Sequence, residues 1–587
     1  MRRLIGLICA VMAASVLAAP TSAQTAKNTA ATDAFIEALD LRPLSVIAVH
    51  YEGRLTSFDS FAYKVMKRVT GAGGYLDRPH AFTLLDKTLR PEAYEGTDSV
   101  FVRKKLLRER IASTLLGRPD VSEERVERFV ETGLISRELL SGDAEVVLLI
   151  SRLKADAIRT GKHVAELETA LALSDPQILI EQIRIIPPPT NALDRRWHHM
   201  LELFAHASGP DGEPLAAGTI VDLPEPTAER IRHAWATLAN SWRLHATPGE
   251  DPVAHAETVS AAMAELAVAL EEAAPEIYPS RAKMGWESWY FQWGHMTWVW
   301  MIYMLAIAAL LMALVYKWPA ARGLGLGIFL GATALHTAAV GLRWYVSGHW
   351  PNSNMFEAVT TAAWMGSVGA IFLELVARKT AMKNLFALAA SVSGAVALMC
   401  AHFLPVSLTP AISNRMPILH DVWLYIHTNV IIFSYMLIAM AAATSIGYLL
   451  LRLLGAKADY ARGGGAGTLI GMGAASMSEL SPRKPSAPAV LDGATMILLE
   501  LAFVLLWAGT IMGAIWADHS WGRPWGWDPK EVFALVSFLV FVILVHVRLK
   551  TRDKGLWTAW LALFGCGVMV FNWIVINFII SGLHSYA

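Results

Sequence analysis

The second half of this 587-residue chain is a series of apolar runs, each long enough to cross a lipid bilayer. Eight can be drawn, at about 296–315, 323–345, 356–377, 383–404, 424–452, 491–516, 530–548 and 557–580. About 20 residues span the hydrocarbon core, and backbone polar groups in lipid must find partners within their own segment, so each run is expected to be a helix. The expected fold class is all-α, a polytopic helical membrane bundle of about eight spans. Most of the charge lies elsewhere, in residues 24–290, which read as a largely helical soluble domain preceding a membrane domain at 291–587. Basic and acidic side chains balance at 50 each, so no basic surface argues for nucleic acid, and none is expected as a partner.

Orientation can be read from the ends of the runs. Arg2 and Arg3, the apolar stretch Leu4 to Ala19, and then Thr21, Ser22 and Ala23 have the form of a signal peptide over residues 1–23, with an uncleaved anchor as the alternative. Either form exports the domain behind it. Alternation from there places Lys317, Arg322, Arg378, Lys379, Lys383 and the cluster Arg548, Lys550, Arg552 and Lys554 inside, against Arg415, Arg523 and Lys530 outside. That asymmetry is the one the positive-inside rule requires. The stretch 455–490, rich in Gly, Ser and Ala with three prolines, reads as a flexible cytoplasmic linker. Cysteine is confined to Cys9, Cys400 and Cys566, which leaves the exported domain without a disulfide framework, and no CxxCH motif is present.

Between the sixth and seventh runs, on the outer side, stands Trp521-Gly522-Arg523-Pro524-Trp525-Gly526-Trp527-Asp528. Three tryptophans separated by glycines and a proline are expected to form a rigid aromatic shelf for a flat, apolar, π-rich ligand. A belt of interfacial aromatics explains single tryptophans, such as Trp350 or Trp557, but does not require this spacing. Asp528 before Pro529 also has the form of a helix N-cap. His427, at the start of the fifth run, and His584, after the eighth, lie on the same face as the loop. Two neutral imidazoles fill the axial positions of heme iron while tryptophans cover the ring, and this combination makes heme the expected ligand. With no CxxCH to hold it covalently, the heme is expected to be in transit.

Within the membrane, His546 in the seventh run and His336 in the second are candidates to hold heme on its way outward, each with a helix-to-helix hydrogen bond as the plainer alternative. His420, His402, His349 and His519 rank below these. Glu500 is a candidate to orient an imidazole. Arg343 and Arg523 are candidates to pair with heme propionates through guanidinium forks, with snorkelling the alternative for Arg343.

These residues resemble the heme-handling cytochrome c assembly proteins of the CcsA/ResC branch, whose signature is a tryptophan-rich WWD loop. The resemblance runs over Trp521 to Glu531, His546 with the basic residues after it, and Gly582 to Tyr586. It extends upstream to Trp423 to His427 and to Pro351 to Glu357, so that it covers roughly residues 290–587. It implies that His427 and His584 are external axial ligands of heme iron and that His546 is one of two within the membrane. The activity it implies is movement of heme b, as cargo, to the outer face of the bacterial inner membrane and its attachment to the CxxCH cysteines of apocytochrome c. The enzyme would be a holocytochrome c synthase or an essential subunit of one. In several relatives the second membrane histidine belongs to a CcsB/ResB-like subunit, separate or fused in front. Here the front part has no extra multi-span bundle, although Val46 to Arg54 is similar to fused forms, as of a CcsB–CcsA fusion with a reduced front half.

In the resulting scheme the heme ring lies against Trp521, Trp525 and Trp527, and catalysis comes chiefly from proximity and orientation, because no acid/base dyad is evident near the loop. Thiol-reducing proteins are further expected partners. Two other classes remain open: a heme exporter or chaperone that makes no covalent bond, and a quinol-linked membrane cytochrome b.

Overall fold

The computed structural model describes residues 29–156, 160–189, 195–204, 220, 223–405, 407–412, 421–462, 485–576 and 580. The expected signal segment, most of the 455–490 linker, His420 and His584 lie outside the described residues. Contacts divide the chain into two units, with the break between Ser288 and Trp289.

The first unit is largely helical, with three two-stranded antiparallel pairings. One of them, β1 (Ala48–Tyr51) with β2 (Arg54–Ser57), closes through Glu52 and Gly53, both at positive φ (49° and 75°), as a two-residue hairpin turn requires. Ser57 then caps α1 (Phe58–Thr70) by accepting from Ser60 N, and Gly71 ends it at φ 76°. A Cβ on Gly71 would come within 2.5 Å of the Phe101 ring, so both backbone and packing demand glycine there. The core gathers Phe58, Phe61 and Val65 of α1, Phe82 and Leu85 of α2 (His80–Leu89), Trp235, Leu238 and Trp242 of α3 (Glu225–Leu244), and Val259, Met263 and Leu266 of α4 (Pro252–Ala273).

Among the described residues, nine helices are long and apolar enough to cross a membrane, and α4 is one of them. Its packing assigns it to the first unit's own core. Its opposite face carries Glu265 and Glu272, which pair with Arg230 of α3 at 2.7 and 2.5 Å. The other eight fall on the eight expected runs: α5 (Trp300–Tyr316), α6 (Pro319–Ser347), α7 (Met355–Ala377), α8 (Leu385–Phe403), α9 (Val422–Leu453), α10 (Ala487–Trp521), α11 (Pro529–Lys550) and α12 (Lys554–Phe571). The chain is thus of the all-α class, with almost no strand, and a multi-pass membrane protein.

Local chemistry sets the ends of these helices. Asp421 caps α9 by accepting from Trp423 N and Leu424 N, Ser486 caps α10, and Pro319 and Pro529 stand where a missing N–H costs nothing. The most extensive seam joins α9 to α10. There Gly509 takes the side chain of Ile431 and Gly513 takes a histidine ring, each closer than a Cβ would permit. Arg548, expected among the cytoplasmic surface cations, is instead buried: its guanidinium pairs with Asp492 of α10 at 2.7 Å and donates to Ala461 O at 2.9 Å. A charge in an apolar bundle persists only with such a partner.

Candidate functional site

The tryptophan loop is shaped by the two helices it joins. α10 ends at Trp521, and Gly522 at φ 69° turns the chain while its N–H donates to Asp518 O. At the other end, Asp528 accepts from Lys530 N and Glu531 reaches back, its Oε2 taking the N–H groups of Gly526 (2.8 Å) and Asp528 (3.1 Å). This is a capping box. Asp528 is buried in that role, and Trp527 is held between the two bonded N–H groups at φ 57°, a left-handed conformation unusual for a bulky residue.

The three tryptophans consequently do not form one shelf, and that expectation is corrected. Trp521 turns edge-on to Trp516, with centroids 4.9 Å apart, and Trp527 points outward, 72% exposed. Trp525 lines a cavity of about 290 Å³ and meets Trp527 at 89°. The backbone sets the rings apart: Trp521 belongs to the last turn of α10, beyond the Gly522 turn from the others, and the left-handed conformation of Trp527 turns its ring away from Trp525.

The cavity is bounded by α7, α9, α10 and the start of α11, with Tyr435, Asn572 and Trp573 among its lining residues. Asn572 donates to the Tyr435 hydroxyl at 2.8 Å, and Trp573 meets the Tyr435 ring edge-on. Its walls are mainly apolar, with a few polar groups, as small-molecule sites generally are. His427 of α9 lines it too. Its Nδ1 donates to the carbonyl oxygen of Gly509 at 2.7 Å, which leaves the lone pair on Nε2, the form in which imidazole binds a metal. Gly513, one turn along α10, makes room for the ring: a Cβ there would lie 2.6 Å from His427 Cε1.

The turn carrying His427 is held from outside by the 349–354 loop. Trp350 Nε1 donates to Asn429 Oδ1 and Asn352 Nδ2 to Thr428 Oγ1, both at 2.8 Å. That loop is in turn fixed by Glu357, which accepts from Ser353 N at 2.7 Å. Arg343, a candidate for heme propionates, is spent here. Its fork donates to Glu357 Oε1 (2.9 and 2.7 Å) and to the carbonyls of Pro410 and Ala411, and it is 2% exposed. The snorkelling alternative fails for the same reason.

The membrane histidines are not brought together. His336 is buried on α6, its Nδ1 3.3 Å from the Tyr303 hydroxyl of α5, beside a void of about 20 Å³. Such a void admits about one water molecule and no porphyrin. His546 faces outward from α11, its Nδ1 donating to Val542 O of its own helix. Of the lesser candidates, His402 pairs with Thr297 Oγ1 at 2.9 Å, His349 contacts Trp350 O, His519 is exposed on the last turn of α10, and Glu500 is half-buried.

Sequence reasoning missed Asn352, Thr428, Tyr435, Lys530, Glu531, Asn572 and Trp573 as lining residues. The one readable signal was Gly509 and Gly513, spaced four apart in a helix of bulky residues and so aligned on one face.

Comparison with known proteins bears on the same region. The family described as "Cytochrome C assembly protein" matches residues 352–584. The cytochrome c biogenesis protein CcsA of Synechococcus sp. (strain CC9311) is 33% identical over 297 residues, covering 48% of this chain and 96% of that protein. CcsA of Synechococcus sp. (strain RCC307) is 32% identical over 275 residues, 44% of this chain and 83% of that protein. Protein NrfI of Wolinella succinogenes is 33% identical over 256 residues, 43% of this chain but 25% of that longer protein. The aligned region holds the tryptophan loop, His427 and the cavity they share, and by it the chain belongs to the CcsA-containing family of cytochrome c assembly proteins.

Proposed function

We propose that this protein serves cytochrome c biogenesis by presenting heme b at the outer face of the bacterial inner membrane for thioether attachment to apocytochrome c. The carrying observation is His427: its tautomer is set by Gly509 and it opens on the cavity lined by Trp525. His427 Nε2 would hold the heme iron from one side, with His584 the expected second ligand, and Trp525, in the cavity wall, would contact the ring while the exposed Trp527 stands at the rim. The cavity of about 290 Å³ would take part of the macrocycle, and attachment requires that the vinyl groups stay accessible to the incoming peptide. Each cysteine thiol of CxxCH adds across one vinyl group, sulfur to one carbon and hydrogen to the other, so the addition needs no net oxidant. Proximity and orientation supply the acceleration.

His546 faces outward from α11 and is the membrane-side ligand in this reading, shared with a CcsB/ResB-like subunit rather than with His336, whose surroundings have no room for a porphyrin. The distribution of Lys and Arg over the connecting segments supports an outer-side position for the N-terminal unit and the loop.

Coexpression of the full chain with a CxxCH peptide, in a host lacking other assembly factors, tests the proposal. Covalent heme on the peptide, lost with His427→Ala, is expected for a synthase. Heme on the protein with none attached to the peptide would make the chain a carrier, and His427→Ala and His584→Ala variants that both retain full heme would overturn the site.

A further inference from the structure

The N-terminal unit contains a cavity of its own, about 330 Å³, that the heme reading does not use. At its buried end lies Lys87 of α2, only 6% exposed. Its ammonium donates to Ser99 Oγ at 2.9 Å and lies over the Tyr94 ring, 4.3 Å from the centroid. Among the described residues no carboxylate stands within ion-pair distance of it. The adjacent Asp86 is already occupied, accepting from Trp242 Nε1, the Tyr94 hydroxyl and Arg90. An ammonium has three donors; here its direct contacts are one hydroxyl and a ring face, and Asp86 and Glu138 act on it only through space, so the buried cation is incompletely compensated. Burial pushes Lys87 down to about 8.

The remaining lining gives the site a polarity. Arg137, paired with Asp175, adds a second cation, and the Ser99 and Ser174 side chains add hydroxyl groups. The two carboxylates of the lining, Glu95 and Glu138, are exposed, so they stand toward solvent while Lys87 and Ser99 are buried. A ligand entering such a site presents negative charge inward and positive charge outward. Multiply charged anions are disfavoured by Glu95 and Glu138, and simple cations by Lys87.

We propose that this cavity binds a carboxylate that carries a cationic group beside it, as a free amino acid or a short peptide does. The carboxylate meets Lys87 and Ser99, and the cationic group meets Glu95 and Glu138.

The test uses the full chain in detergent with reductively ¹³C-methylated lysines. The probes are L-arginine, the dipeptide Lys-Glu, and Lys-Glu blocked as its C-terminal amide. Millimolar probe at pH 7 is expected to shift the Lys87 resonance and raise its titration midpoint, and the binding is expected to weaken about 30-fold between pH 7 and pH 9.5 as the ammonium is lost. Lys87→Met should abolish binding, and Lys87→Arg, which keeps the charge at high pH, should lose much less of its binding over this range than the native chain, the remainder reporting the probe's own α-ammonium. Binding of the blocked dipeptide would assign the carboxylate to a side chain, and binding of the unblocked forms alone to a main-chain terminus. No response of the Lys87 resonance to any probe, or equal binding by folded Lys87→Met, would overturn the proposal.

Discussion

His427 donates from Nδ1 to the carbonyl oxygen of Gly509, 2.7 Å away across the α9/α10 seam. One bond thereby decides both the tautomer and the direction of the ring. It can form only because α10 presents glycine at 509 and again at 513, where side chains would drive the helices apart.

Gly513→Ala is therefore expected to behave as a disguised histidine mutation. The new Cβ would lie 2.6 Å from His427 Cε1, so the ring must rotate and the bond to Gly509 is lost. Helix propensity alone would favour alanine by about 1 kcal/mol. Heme per protein, read from the Soret band of the purified chain, should fall several-fold while thermal stability changes by no more than about 1 kcal/mol.

The tryptophans should prove unequal. Trp525→Ala is expected to reduce retained heme severely, Trp527→Ala moderately and Trp521→Ala least, following their places in the cavity, at the rim and against Trp516. Equal losses from all three would restore the single shelf that the spacing suggested.

Asp528→Ala removes the cap of α11 and should cost about 1 kcal/mol, seen as faster amide exchange in residues 526–532. Glu531→Gln keeps a carbonyl oxygen able to accept from both Gly526 N and Asp528 N, as Oε2 does, and should do less damage than Glu531→Ala.

Arg343 and Glu357 form a buried pair, so removing either alone leaves a charge without its partner. Arg343→Met and Glu357→Leu are each expected to destabilise the protein by about 3–5 kcal/mol, and the double variant by less than their sum. Measured by thermal unfolding, that non-additivity would mark Arg343 as a structural residue. Additive effects, with heme affinity lost before stability, would return it to the propionates.

Acid should loosen the N-terminal unit through His245. Its Nδ1 donates to Trp242 O, its Nε2 accepts from Arg90 at 2.9 Å, and its ring stacks on Phe35 at 4.0 Å, an arrangement open only to the neutral form. Burial, and then the Arg90 charge, hold it down at about 4. Between about pH 6.5 and 4 the unfolded chain binds the proton that the folded one refuses, so stability falls as pH drops through that window and levels below it. The loss is on the order of 2–3 kcal/mol. Hydrogen exchange of α2 and α3 in the full chain should accelerate across this range, and His245→Gln should flatten the response.

Much of this was legible in the chain. Apolar runs of about 20 residues must be helices in lipid, so seven of the eight helices fall within five residues of their expected bounds, while the eighth, α12, ends at Phe571, short of the expected 580. A capping box is a local pattern, and Asp528 read as a cap before any fold was known. Helix α4 was placed in the soluble domain as well: its mean hydropathy lies below that of all eight spans, and its packing against α3, with its glutamates paired to Arg230, seats it in the first unit's core.

Sequence by itself determined the spans, the caps, the loop and the candidacy of His427, because each depends on neighbours in the chain. Tertiary structure decided the rest. It turned Trp521 away and Trp525 inward, joined Arg343 to Glu357 and Arg548 to Asp492, and separated His336 from His546. The reason is physical: a buried charge or a ring takes whichever partner the packing of helices brings within a few ångströms, and that choice is made between residues far apart in sequence.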